Sequence, residues 1–482
     1  MSIAILRPVD GSGSTRARVL AFLLAGLVGV AVAQSVYNIP IQVSDSLDLI
    51  ISSRQPSSSL VLLRQTSQSS STTLRPVRNL QARWLGELAD AGGWSYHSVF
   101  RGVHALLAFG IVCLFAWVAR VRAPSDLCSF GIALTVLVGH HTFVAMMREA
   151  FPVNHFAEIA CGSLLTLGIA QRRATAAGQF VALAILAAGL LLIESAVLLW
   201  VVLVGCVAIG LPGLSRRTAA VATAVLVLYL VARSMLGISA PGIGGHDSGW
   251  LGTLYSADEI VARFGANPWP FYAYNVVGGA LSVVASEPRF GVYRLLSSLD
   301  AGTWAPVLTI QLVSSLIVSL VILIHARAVM RRPWSSWTEE TRMFALAAAV
   351  VAVSALLCAT YIKEEILSTA GVFYALAAYL AMHRLFALAG ENRLRAAMVA
   401  ACILIAAPLW GFRTVGTHYE LRRTAFVTRN DWVLDAIEPS GEGTSPADRG
   451  RFSKLRSEAV RHRVTSPSFL PRWGERYWGE DY

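Results

Sequence analysis

Charged side chains are scarce in this sequence, in which Asp, Glu, Lys and Arg together make up only 14% of 482 residues. Hydrophobic residues make up 55%, and the mean hydropathy is +0.57. A soluble domain of this size could not bury so much apolar surface, whereas many stretches reach the ~20 residues that cross a bilayer as a helix. The composition therefore predicts a polytopic membrane protein and excludes a soluble globular domain.

Lysine is almost absent, because 38 of the 40 basic residues are arginine. The formal net charge is nevertheless +11. In a membrane protein such an excess marks cytoplasmic loops and contact with anionic lipids more often than nucleic acid. We therefore expect membrane lipids among the partners of this chain, and no nucleic acid.

Motifs for disulfides, zinc or nucleotides are missing. The six cysteines fall in apolar segments without a CxxC pair, which is typical of small buried side chains. His140 and His141 are adjacent and no HxxxH spacing occurs, so a zinc site is not indicated. The GIGG run at 242–245 follows no predicted strand and precedes no Lys-Ser or Lys-Thr pair, unlike a phosphate loop. No cofactor is predicted with certainty.

The distribution of arginine predicts the topology. The expected spans are 17–36, 102–120, 125–146, 156–171, 175–193, 195–213, 217–237, 304–326, 341–360, 365–384 and 394–411. With the N-terminus in the cytoplasm, the short basic turns, such as those at 120–122, 172–173 and 216–217, all lie on the cytoplasmic side. The prediction is an all-α polytopic membrane protein with about 11 transmembrane helices, in a bacterial inner membrane.

Two segments leave alternatives open. Residues 267–288 are apolar enough to span the bilayer, but a span there would place the later basic turns outside, so we expect a re-entrant or interfacial segment. If this segment spans, the count becomes twelve. The first helix follows Arg16 and Arg18 and ends near AVAQS, which is similar to a signal-peptide cleavage site. We expect an uncleaved helix, with processing as the alternative.

This topology divides the chain into two predicted units. Residues 1–411 form a transmembrane module, with a long first outer loop at 37–101 and a fourth outer loop at 238–303. The first loop is expected to carry amphipathic helices along the membrane surface. Residues 412–482 form an extracytoplasmic tail with few apolar residues, which we expect to pack on the outer loops or to be partly disordered.

The first outer loop carries several polar residues that could do chemistry. Asp45 and Asp48 follow the first helix closely and therefore lie near the membrane surface. A carboxylate there can act as a general base on an acceptor hydroxyl or amide. Arg75, which precedes a proline, comes before the predicted amphipathic helix, and His97 and His104 lead into the next span.

The later outer turns add more charged groups. Arg148 and Glu149 lie in the second outer loop, and Glu194 lies in a tight turn in the middle of a long apolar run. Arg233 ends the seventh span, and Lys363 stands beside two glutamates in the fifth outer loop. Cations at this depth could hold an anionic leaving group such as a phosphate. Glu149 and Glu194 could shape the acceptor or donor pocket, or hold a divalent metal, and these alternatives stay open.

The order of these motifs resembles the C-type (GT-C) integral-membrane glycosyltransferases, and within them the protein O-mannosyltransferase branch. The resemblance covers roughly residues 17–240 and rests on these sequence features: the acidic motif at 45–48, the Arg-Pro pair at 75–76, the histidines at 97 and 104, the stretch REAFPVNHFAEI at 148–159, the glutamate at 194 and the segment YLVAR that ends at 233. Four features depart from the family pattern. The two aspartates are not adjacent, Ile193 replaces a lysine, Arg101 stands where asparagine is common, and the residues after 411 carry no tetratricopeptide repeats.

The resemblance implies a GT-C-like fold and an inverting transfer from a polyprenyl-phosphate-linked sugar to a lipid, glycan or protein acceptor at the extracytoplasmic face. Asp45 is our first choice for the general base, with Asp48 as the alternative. The implied substrate and lipid-phosphate residues are Arg75, His97, His104, Arg148, Glu149, Glu194, Arg233 and Lys363.

Two other functions stay open from the sequence. A polymerase or ligase of lipid-linked polysaccharide would depend on Arg and His in the fourth outer loop, such as His246, Arg263 and Arg289. A non-enzymatic transporter would need inverted repeats and polar groups at the membrane midplane, and the sequence contains neither pattern.

Overall fold

The computed structural model describes residues 11–68, 74–148, 154–236, 248–250, 253–265, 267, 269–285, 299–302, 306–389, 393–434 and 445–462. These residues are almost entirely helical, apart from one short antiparallel hairpin that pairs β1 (Ser248–Trp250) with β2 (Thr253–Tyr255). The helices of the first half are α1 (Gly11–Tyr37), α2 (Ser44–Arg54), α3 (Ser59–Gln68), α4 (Pro76–Gly92), α5 (Tyr96–Ala119), α6 (Asp126–Gly139), α7 (His141–Arg148), α8 (His155–Ala170), α9 (Ala176–Leu190), α10 (Val197–Ala208) and α11 (Arg216–Met235). The helices of the second half are α12 (Ala257–Phe264), α13 (Trp269–Ala285), α14 (Pro306–Met330), α15 (Glu339–Leu357), α16 (Ser368–Ala389), α17 (Arg393–Leu434) and α18 (Pro446–Val460).

Six of the described helices are long and apolar enough to cross a membrane: α1, α5, α11, α14, α15 and α16. The pair α6 and α7, which meets at a bend of 51°, would make a seventh. Among the six, α16 has the largest buried share, 72% of its most apolar window, whereas the share for α1 is 28%. Large apolar side chains of α1 are exposed, Leu27 to 73%. The chain is therefore a multi-pass helical membrane protein with α16 near its centre and α1 at its surface.

The predicted count of about eleven spans is not confirmed. Helices α8 and α9 have 16 and 15 residues, and α10 has 12. A span was expected over 195–213, but α10 ends at Ala208 because Gly210 adopts a positive φ of 76° and Pro212 follows. Even with the 3-10 turn Glu194–Ala196 before it, this segment rises only about 22 Å, less than the ~30 Å of a hydrocarbon core.

One end of the helix bundle carries many of the short basic turns, and we call it the basic face. There Arg120, just after α5, pairs with Glu339 at the start of α15 (Nη1 to Oε1, 2.7 Å) and donates to the carbonyl of Gln171. His383 of α16 lies 3.3 Å from Asp126 at the start of α6. The ends of α5, α8 and α16 and the beginnings of α6 and α15 therefore meet on one side.

The opposite end of the bundle, which we call the polar face, joins the other helix ends. Ser35 near the end of α1 bonds to His418 of α17 (2.8 Å), and Tyr37 bonds to Ser98 at the start of α5 (3.2 Å). Arg413 of α17 donates to the carbonyl of Gln311 near the start of α14 (3.3 Å). Helix α14 therefore begins at the polar face. Helix α11 ends at the same face, because Arg233 in its last turn pairs with Glu194 in the turn after α9 (3.0 Å).

Helix α13 lies in the part of the chain between the end of α11 and the start of α14. Near its start Asn275 donates to the carbonyl of Ala359, which follows α15 (3.0 Å). At its end the carbonyl of Val284 accepts from Ser319, roughly 20 Å along α14 from the polar face. The carbonyl of Val283 lies 3.0 Å from His140 at the bend between α6 and α7. Helix α13 thus runs from the polar face and ends beside the middle of α14.

A second, smaller core lies outside the main bundle, at the polar face. It combines the first loop with the end of the chain through buried residues that lie on α2, α4, α5, α17 and α18, among them Leu47, Ala89, Tyr96, Trp432 and Phe452. The indole of Trp432 donates to the carbonyl of Ile41 (2.5 Å). The described part of the predicted tail is therefore helical, and it packs on the segment that was predicted to be the first outer loop.

Glu458 of α18 holds this tail to the start of α5. Its two carboxylate oxygens accept hydrogen bonds from the backbone N–H groups of Tyr96 (3.3 Å) and His97 (3.1 Å). These belong to the first-turn N–H groups that lack a partner within their own helix. Ser95 caps a third such group, since its hydroxyl accepts from the N–H of Ser98 (2.9 Å). The tail thus completes the cap of a membrane-spanning helix.

Replacing Glu458 with Ala should loosen the start of α5, because two backbone N–H groups lose their acceptor, at a cost of about 1 kcal/mol. Hydrogen exchange at Tyr96 and His97 should then accelerate roughly fivefold. Ser453→Ala is the matched control, because Ser453 lies on the same helix and is exposed. Equal exchange at these amides in the two variants would contradict the capping role.

Candidate functional site

Glu194 lies in a tight turn between two apolar helices and not in the interior of a helix. Helix α9 ends at Leu190, and the backbone of Ile193 is extended (φ −160°, ψ 150°) before the 3-10 turn that starts at Glu194. The turn therefore places the carboxylate at the polar face, beyond the helix ends. This explains how a charged residue is accommodated within a run of some forty mostly apolar residues.

Two arginines from distant segments share this carboxylate. Arg75, just before α4, donates from Nε (3.2 Å) and Nη2 (2.7 Å) to Oε2 of Glu194. Arg233, in the last turn of α11, donates from Nη1 to Oε1 (3.0 Å) and also to the hydroxyl of Tyr229 (3.1 Å). We call these four residues the Glu194 cluster. Three of them, Arg75, Glu194 and Arg233, were predicted from sequence, and the structure brings them together.

The electrostatics of the cluster favour an ionised Glu194. Burial alone would raise the pKa of its carboxyl, but the charge of Arg75 and the hydrogen bonds from Arg75 and Arg233 outweigh burial, and the pKa lies below its usual value. The side chains of Arg75, Glu194 and Arg233 are 23%, 21% and 7% exposed. Two cations around one anion leave an excess charge of one positive, partly open to solvent.

Helix α4 is fixed beside this cluster by further contacts. The backbone N–H of Val77 donates to the carbonyl of Leu191 in the turn after α9 (3.2 Å). One turn further, Gln81 donates from Nε2 to Oε1 of Glu158 on α8 (2.9 Å). The other carboxylate oxygen of Glu158 and the amide oxygen of Gln81 are buried and find no hydrogen-bond partner among the described residues. A ligand hydroxyl or amide could satisfy them.

His104 occupies a fully buried position on α5. Its Nδ1 lies 2.8 Å from Nη1 of Arg101, and its other ring nitrogen contacts the side-chain amide of Asn154, the cap of α8. Arg101 also donates to the carbonyl of Pro40 (3.0 Å). Since His104 is only 1% exposed, it positions Arg101 and the chain after α1 and does not face an open site.

His97 lies near the docked tail and is separate from the Glu194 cluster in sequence and contacts. Its Nε2 is 3.1 Å from Nε2 of His462, and its ring contacts Tyr37 edge-on, with centroids 5.0 Å apart. Its backbone N–H binds Glu458. The structure therefore places His97 in the junction of α1, α5 and the tail.

The two predicted base candidates both belong to α2. Asp48 is exposed on this helix. The backbone of Asp45 is in the first turn of α2, and its side chain lies outside the described part of the structure. Helix α2 packs against α4, the helix that begins next to Arg75. Within the described contacts, no ion pair joins Asp48 to the Glu194 cluster.

Arg148 and Lys363 lie at a second polar site, where α7 meets the segment after α15. Arg148 is 3.8 Å from Glu364, and the ammonium of Lys363 lies 5.9 Å from the ring centroid of Phe156. A small cavity of about 60 Å³ beside them is lined in part by His141, Gln311, Arg413 and Glu420. Glu149 lies outside the described residues.

Sequence reasoning missed several members of these sites. Gln81, Tyr229 and Arg413 carry no motif of their own, although Tyr229 stands one helical turn before Arg233 and so shares its face. A divalent metal remains an open alternative. In the part of the chain that the structure describes, no group of three His, Cys, Asp or Glu side chains is close enough to hold a metal ion.

Replacing Glu194 with Gln should destabilise the fold, because two partly buried guanidinium groups would then face each other without a counter-charge. We expect the free energy of unfolding to fall by about 3 kcal/mol, measured as a lower melting temperature in detergent. Glu87→Gln is the matched control, since Glu87 is 42% exposed in its pair with Arg83 and its loss should cost less than about 1 kcal/mol. Equal melting temperatures for both variants would rule out the bridging role.

A comparison of the chain with models of known protein families, with curated proteins and with solved structures gave no match.

Proposed function

We propose that this protein is a GT-C-like glycosyltransferase that moves a sugar from a polyprenyl-phosphate-linked donor to a lipid, glycan or protein acceptor. The observation that carries the proposal is the Glu194 cluster. Its charged members come from the first loop, from the turn after α9 and from the end of α11, and they meet at one face of the bundle. The order of sequence motifs that resembles the GT-C family supports the same assignment.

The cluster has the chemistry that a phosphate leaving group needs. Guanidinium groups match phosphate oxygens in shape and charge, and Glu194 holds two of them in place before a ligand arrives. The excess positive charge then stabilises the negative charge that develops on the phosphate as the bond to the sugar breaks. The two guanidinium groups lie at the face where α9 and α11 end, which suits a lipid headgroup.

The base is expected on α2. In the proposed step, the carboxylate of Asp45, or of Asp48, removes the proton from the acceptor hydroxyl or amide. The acceptor atom attacks the anomeric carbon, the bond from this carbon to the phosphate oxygen breaks, and the phosphate leaves towards the arginines. Attack opposite the leaving group inverts the configuration of the sugar.

We assign the basic face to the cytoplasm, because arginine-rich turns stay on that side of a membrane. The polar face, the Glu194 cluster and the C-terminal tail then lie outside a bacterial inner membrane, and the N-terminus lies inside. In this arrangement α13 is re-entrant, which is supported by its end beside the middle of α14 and by the common face at which α11 ends and α14 begins.

Asp45→Asn and Asp48→Asn test the assignment of the base. Loss of the general base should lower kcat in a lipid-phosphosugar transfer assay about 10²–10⁴-fold, while the melting temperature stays unchanged. Glu87→Gln, another exposed carboxylate of the first loop, should keep full activity. Full activity in both aspartate variants and in their double mutant would refute the loop-1 base. Activity that instead depends on Arg263 would favour a polymerase or ligase.

Cysteine labelling tests the sidedness. In a chain whose six cysteines are replaced, an Asp48→Cys variant should react with a membrane-impermeant maleimide in spheroplasts, since Asp48 is exposed on the outer loop. An Arg173→Cys variant, in the exposed turn after α8, should react only after the membrane is permeabilised. Labelling of both positions from the same side would overturn the topology and with it the proposed pocket.

A further inference from the structure

A groove of about 470 Å³ opens at the basic face, away from the Glu194 cluster. It lies between α1, the end of α5 and the turn after α8. Four arginines line it: Arg18, Arg120, Arg122 and Arg172. We call it the basic groove. The proposed glycosyl transfer uses none of these residues, so any role of the groove is separate from that reaction.

The charge of the basic groove is only partly neutralised. Glu339 pairs with Arg120 at 2.7 Å. Two further carboxylates lie nearby against His383, Asp126 at 3.3 Å and Glu340 at 3.7 Å, and Asp126 also accepts the backbone N–H groups of Arg122 and Ala123. None of the described lining residues carries a carboxylate. The four lining guanidinium groups outnumber these three nearby carboxylates, and this balance favours an anionic ligand.

Two of the four arginines, Arg120 and Arg172, are held in place by protein contacts. The guanidinium of Arg172 lies 3.7 Å from the ring centroid of Trp117 and donates to the carbonyl of Gly168 (2.8 Å). A side chain at Gly168 would collide with Trp117, so the absence of one lets the indole lie flat there. Burial and the neighbouring charge of Arg120 lower the pKa of the Arg172 guanidinium. The like charges are therefore close together before a ligand arrives.

The walls of the groove are apolar and continue onto the surface of α1. Ala21, Phe22 and Val121 line the groove beside the arginines. Phe22 is 42% exposed, and Leu23 and Leu27, which follow on α1, are 58% and 73% exposed. A ligand that fits has a negatively charged head for the arginines and long apolar chains for the surface of α1.

We propose that the basic groove binds the phosphate headgroup of an anionic phospholipid whose acyl chains lie along α1. Arginine contacts phosphate oxygens in a two-pronged geometry, and basic pockets between membrane helices recognise anionic headgroups. Since Arg18 stands at the start of the apolar run of α1, the groove lies at headgroup depth. The bound lipid bridges α1 and the end of α5.

Native mass spectrometry of the full chain in neutral detergent tests this proposal. The probe is phosphatidylglycerol, compared with phosphatidylcholine of the same chain length. The double variant Arg122→Gln/Arg172→Gln removes two groove charges and should weaken the tightest phosphatidylglycerol adduct about 10- to 30-fold. Arg173→Gln/Arg331→Gln is the matched control, since both residues are exposed arginines that do not line the groove. This control should stay within about twofold of the wild type.

Three outcomes would overturn the assignment: equal binding by the groove variant and its control, equal affinity for phosphatidylcholine, or displacement of phosphatidylglycerol by equimolar inorganic phosphate, which would assign the groove to a soluble anion. Elution volume and melting temperature identify a misfolded double variant. The single variant Arg122→Gln, which changes only an exposed side chain, then serves in its place.

Discussion

The sharing of one carboxylate by two arginines is the interaction on which the polar face depends. Glu194 binds Arg75 and Arg233, which stand 119 and 39 residues away along the chain. These contacts fix three segments relative to one another: the start of α4, the turn after α9 and the end of α11. Without the carboxylate the two guanidinium groups would repel each other, and the contacts among these three segments would weaken. The contacts of Gln81 with Glu158 and of Val77 with Leu191 extend this attachment along α4.

The two ends of the bundle handle arginine in different ways. At the polar face, Arg75 and Arg233 both bind one carboxylate. The side chain of Arg75 is partly buried, and that of Arg233 is almost fully buried. At the basic face, Arg18, Arg122 and Arg172 remain exposed around a groove that has an aromatic floor and apolar walls. The first arrangement suits a small anion whose charge changes during a reaction, because the cations are fixed beforehand. The second suits a permanent anion such as a lipid phosphate, because the charges stay accessible.

The membrane class and part of the candidate site could be predicted from sequence, since apolar runs and isolated charges within them are local signals. The pairing of Arg75 and Arg233 with Glu194 could not, because a contact between residues far apart leaves no periodic pattern. The predicted count of about eleven spans is not confirmed, and the span expected over 195–213 is shortened where Gly210 and Pro212 end α10 early, although both residues are visible in the sequence. The sequence left open whether the tail packs or is partly disordered, because its low apolar content hides one apolar stripe at the helical spacing of Phe452, Leu455 and Ala459.

The cap that Glu458 gives to α5 has a consequence for biosynthesis. Helix α5 is made early, whereas Glu458 follows His97 by 361 residues and leaves the ribosome much later. Until then the first N–H groups of α5 have only water and Ser95 as acceptors. Apolar side chains such as Leu47 and Phe100 then lack Trp432 and Phe452 as packing partners. This second core therefore forms only after Trp432 and Phe452 have been made, and a chain that terminates before them would expose an apolar patch for quality-control proteases to recognise.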